Sequence, residues 1–87
     1  MMLQDRSAAI TFLMKTIGNK IVYSHLFKRS PVLAEMVSIA VYGDIRYTMS
    51  RHPDFGVEFD TLRTGTLLKI ADLVSEYWPG CPPRCKV

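Results

Sequence analysis

Residues 32–42, VLAEMVSIAVY, are apolar apart from Glu35 and Ser38, and they follow directly on Ser30-Pro31. Serine is a favoured N-cap, and proline suits the first helical position because an N–H there would be unpaired anyway. The pair predicts a helix beginning at residue 31. On a helical projection Leu33, Met36, Val37, Ile39, Ala40 and Val41 leave almost no polar side. Such a helix needs cover all round, and a chain of 87 residues has little else to cover it with. A membrane span is excluded for this stretch, since its eleven residues include a glutamate and spanning takes about 20 apolar positions. The expectation is a central bundle helix with part of its surface buried by a second chain.

The rest of the chain supports a bundle. Asp5 and Ser7 are caps placed before Ala9, Ile10, Leu13, Met14 and Ile17, with Gly18-Asn19 as the stop. Residues 20–29 put Ile21, Val22 and Leu26 on one helical face, although Ile21, Tyr23, His25 and Phe27 also alternate as in a strand. Leu67, Ile70, Ala71, Val74, Tyr77 and Trp78 keep helical spacing, with Lys69, Asp72, Ser75 and Glu76 opposite, until Pro79-Gly80 ends the run. The reading is an all-α domain of about four helices near 5–18, 20–29, 31–51 and 60–78. The alternative is α+β, with a β-hairpin near 45–61 in a winged-helix-like arrangement. One domain is expected over residues 1–80, followed by a short Cys/Pro/basic tail at 81–87.

Chemistry is scarce. His25 and His52 are the only histidines, and no serine or cysteine stands in a nucleophile motif. The glycines at 18, 43, 56, 65 and 80 form no phosphate loop. Cys81 and Cys85 lie too close together to staple a core, and their spacing to the two histidines does not match a zinc finger. No enzyme activity, cofactor or metal is expected. Nothing resembling an export signal opens the sequence, where Asp5 and Arg6 interrupt, so a cytoplasmic location is expected.

The charge is lopsided. Net charge is +3, but residues 1–30 set Arg6, Lys15, Lys20, Lys28 and Arg29 against Asp5 alone, while residues 31–78 are net acidic. Opposed halves suit an electrostatically selected partner. Aromatic residues gather late in the chain, and Tyr47, Phe55, Phe59, Tyr77 and Trp78 are candidate contacts for another protein. Val32, Met36, Val37, Ile39 and Ala40 are the candidate interface of a symmetric homodimer.

Small size, helices, no catalytic set and an apolar surplus together resemble the general class of regulatory or adaptor proteins, including small inhibitors encoded by phages and mobile elements. Protein–protein binding without catalysis is the expected function. A second resemblance is local. Gly43-Asp44-Ile45-Arg46-Tyr47-Thr48-Met49-Ser50-Arg51 is similar to the turn and recognition helix of repressor helix-turn-helix domains, although Ile39 and Ile45 stand where that pattern has small residues. It implies a DNA-binding regulator with Arg46, Thr48, Ser50 and Arg51 reading DNA, and Lys28 and Arg29 on phosphates.

Overall fold

The computed structural model describes residues 5–44 and 56–78. Helix α1 (Arg6–Thr16) begins where Asp5 Oδ1 accepts the Ala8 N–H at 2.7 Å, and it ends as Gly18 turns the chain at φ 111°. Helices α2 (Tyr23–Arg29) and α3 (Pro31–Tyr42) meet at a sharp corner, Ser30. That serine closes α2 and caps α3, its hydroxyl accepting the Leu33 N–H at 3.2 Å beside Pro31 in the first turn. Helix α4 (Thr64–Tyr77) is the longest of the described elements.

The expected all-α architecture holds, with a small addition. The described residues are 75% helical, and strands β1 (Lys20–Ile21) and β2 (Val57–Glu58) add an antiparallel pair with Lys20 opposite Glu58. Helix α2 therefore starts at Tyr23 and not at residue 20, because Lys20 and Ile21 give their backbone to the ladder. The strand at 57–58 pairs with a segment far upstream. The first arm of a 45–61 hairpin lies outside the described residues.

Two other boundaries move inward. Helix α3 stops at Tyr42, and Gly43 and Asp44 return their N–H groups to Ile39 and Val41. Asp44 then turns into the protein and accepts the Arg63 N–H at 2.8 Å, which draws the chain off the helix axis. The helical continuation expected at 45–51 lies outside the described residues, as does the 81–87 tail with Cys81 and Cys85. Helix α4 begins at Thr64 and not at Asp60, because Phe59–Thr61 forms a 3₁₀ turn and Leu62 is extended. Arg6 fastens this turn to α1, donating to the carbonyls of Leu62 (2.6 Å), Asp60 (2.9 Å) and Phe59 (3.3 Å).

Helix α4 packs against both α1 and α3, and α3 packs against α2. The order in space is thus α1, α4, α3, α2. Leu13, Leu26, Leu33, Val37, Leu67, Ile70 and Val74 fill the core, joined from the strand side by Ile21, Val57, Phe59 and Leu62. Each such side chain contributes about 1.5–3 kcal/mol by leaving water. In this order α3 has a helix on each flank and the core beneath it. Its outer side stays open.

Candidate protein-binding surface

Helix α3 has two apolar faces, and the fold buries one. Leu33, Ala34, Val37 and Val41 recur at three- and four-residue spacing and are fully buried. The opposite stripe, Val32, Met36 and Ile39, follows the same spacing outward. Val32 is 56% exposed and Ile39 67%, while Met36 and Ala40 are half-buried. Tyr42, 39% exposed, ends the stripe. Among the described residues, nothing covers this isoleucine, which stays two-thirds in water.

The α2 flank of this stripe is aromatic. Phe27 is about half exposed and stacks on Tyr23, with ring centroids 5.8 Å apart. The Tyr23 hydroxyl donates to Glu35 Oε2 at 3.2 Å, which holds the one carboxylate of α3 on the α2 side. The opposite flank is a groove of about 620 Å³ between α3 and the start of α4. Ile39, Ala40 and Gly43 form its α3 wall, and Arg63, Gly65, Thr66 and Lys69 form the other. Beneath it the Asp44 side chain is wholly buried, bonded to the Arg63 N–H and 3.8 Å from Arg63 Nε. That contact sets where α4 begins, and so where Arg63 and Lys69 stand.

The residues expected at interfaces fall in different places. Of the five expected on a dimer face, Val32, Met36 and Ile39 stand on the open stripe and Ala40 borders it. Val37 is 1% exposed and belongs to the core. Phe59, expected at a partner contact, is likewise inside, at 4%. Trp78 packs against the core with the Arg29 guanidinium over its ring at 4.8 Å, so one face of the indole is already taken. Tyr77 is exposed. Lys28 and Arg29 are exposed in the last turn of α2, where cations complement the helix dipole. Tyr47, Phe55, Arg46, Thr48, Ser50 and Arg51 lie outside the described residues.

Sequence spacing could not find Arg63, Gly65, Thr66 and Lys69 as partners of Ile39. They are more than twenty positions downstream, and only the antiparallel packing of α4 on α3 brings them alongside. Asp44 directly after Gly43 was the available signal, since a carboxylate just past a helix end often answers a nearby N–H.

Among the described residues no three His, Cys, Asp or Glu side chains gather as a metal set. No described helix is long and apolar enough to cross a membrane. No protein-family model, curated protein or solved structure matches the chain.

Proposed function

We propose that this is a small, non-catalytic regulatory or adaptor protein that acts by binding another protein through the outer face of α3. The observation that carries the reading is the stripe of Val32, Met36 and Ile39, left open by a fold whose core is otherwise filled. Exposed apolar side chains in one contiguous row, bordered by Phe27 and Tyr42, are the usual material of an interface centre. The flanks supply the polar rim, Glu35 and Tyr23 on one side, Arg63 and Lys69 on the other.

Self-pairing through the same stripe is the simplest form of such binding, because a two-fold axis places the patch against itself. A sedimentation measurement at roughly 100 μM reads this directly, since a standard-size interface persists at that concentration. Capture from a cell lysate with and without nuclease tests the broader reading. Partners that survive nuclease and are lost with Ile39→Ser support protein binding. Partners that all vanish with nuclease overturn it and favour a nucleic-acid contact, whose affinity falls steeply with salt.

A further inference from the structure

We propose that the groove between α3 and the start of α4 receives an acidic, amphipathic segment of the partner protein, with an apolar side chain seated between Ile39 and Gly65 and a carboxylate against Lys69 and Arg63. The inference rests on the protein-binding reading and adds the chemistry of the partner. The two walls differ in kind. The α3 wall is hydrocarbon and backbone, from Ile39, Ala40 and Gly43, whereas the α4 wall carries two cations.

Among the described residues, none that lines the groove is acidic. Asp44, in contact with Arg63, has no exposed side-chain surface and is committed to the Arg63 backbone. It orients Arg63 from below, and the arginine side chain stays 52% exposed. Lys69, six residues further on, is also exposed. The occupant must therefore bring its own negative charge, on the side facing α4, and its apolar surface toward α3. A second copy of a chain with net charge +3 is a poorer source of that charge than an acidic partner.

The α4 wall has room for a side chain. A Cβ built at the exposed Gly65 meets no described atom within 4 Å, so no described side chain occupies the space beside this wall. A helix laid between α3 and α4 would present an apolar residue and a carboxylate three or four positions apart, the spacing that puts both on one face.

The test is a nitrogen-15 NMR titration of the full chain with three synthetic helical peptides. One carries leucines at i, i+3 and i+7 flanked by glutamates, one has lysine for every glutamate, and one has serine for every leucine. The leucine–glutamate peptide alone should bind, with a Kd of roughly 100 μM or tighter, and shift the amides of Ile39, Gly43, Gly65, Thr66 and Lys69. Lys69→Glu should weaken it about tenfold and improve the lysine peptide. Gly65→Leu, which keeps every charge and replaces a poor helix former, should weaken it by a similar factor through occupation of the groove. Circular dichroism of both variants should match the wild type.

Equal binding of the lysine or serine peptide overturns the proposal, as does no binding at ~1 mM. So does dilution of the protein alone shifting the Gly65, Thr66 and Lys69 amides of the α4 wall, which would make a second copy the occupant. The two levels fail separately. If a nuclease-resistant partner is captured equally by wild type, Lys69→Glu and Gly65→Leu, the groove chemistry is wrong and the protein-binding reading stands. If no such partner exists, the reading itself fails.

Discussion

Replacing Asp44 by alanine should cost this protein much of its stability although the residue lies between elements. The carboxylate accepts the Arg63 N–H at 2.8 Å and sits 3.8 Å from Arg63 Nε, with no side-chain surface in water. A hydrogen bond to a charged acceptor contributes about 1.5–3 kcal/mol, and its loss leaves the α4 N-cap amide without a partner in a part-buried site. The ion pair adds under about 1 kcal/mol because the arginine is half in water. Removing the carboxylate also relieves the cost of burying it, which offsets a fraction of the loss. The net expectation is a destabilisation of about 2 kcal/mol, against a total of about 4–13 kcal/mol for a chain of this length. Thermal unfolding followed by circular dichroism at 222 nm should show Tm lower by roughly 8–16 °C, at about 4–8 °C per kcal/mol. Asp44→Asn keeps an acceptor of nearly the same shape and should lose about half as much. If Asp44→Ala unfolds within about 0.5 kcal/mol of the wild type, in the range of ordinary surface changes, the clip between α3 and α4 does not carry the weight assigned to it.

Three further outcomes follow from the same geometry, each read by urea denaturation. Ile39→Ser should leave stability within about 0.5 kcal/mol because the side chain is mostly in water, whereas Val37→Ala, two residues away on the buried face, should cost at least about 1 kcal/mol. Arg6→Ala removes the three carbonyl bonds that tie the 3₁₀ turn to α1 and should cost about 1–2 kcal/mol, with Arg6→Lys recovering only part because an ammonium lacks the planar fork. Gly56→Ala should cost about 1–2 kcal/mol, since φ is 84° and the new Cβ would meet Lys20 Cδ at 2.6 Å, a flexible side chain that can shift. Equal losses at positions 37 and 39 would contradict the two-faced description of α3.

Most of the helical content was legible because it rests on local chemistry. Ser30-Pro31 marks a helix start whatever the rest of the chain does, and Asp5 caps α1 from three residues upstream of its donor. What failed depended on distant partners. Lys20 and Ile21 suit a helix or a strand equally, and only Val57 and Glu58, far along the chain, decide for the ladder. The end of α3 at Tyr42 depends in the same way on Arg63, whose amide gives the Asp44 carboxylate a reason to turn inward. Periodicity also treated the apolar residues of α3 as one set. The helix is apolar nearly all round, so spacing alone could not say that Val37 points to the core and Ile39 away from it. Phe59 and Trp78 show the same limit, since an aromatic near a helix end packs inward or outward according to its neighbours, and here both pack inward.

The most direct test of the outer α3 face is site-specific photo-crosslinking in cells, with a photoreactive side chain at Ile39 and a control at Thr11 on α1. Both positions are exposed, so either probe should leave the fold intact. The account predicts a discrete, nuclease-resistant protein adduct from position 39 that is absent from position 11. Equal adducts from both positions, or none from position 39, would contradict it.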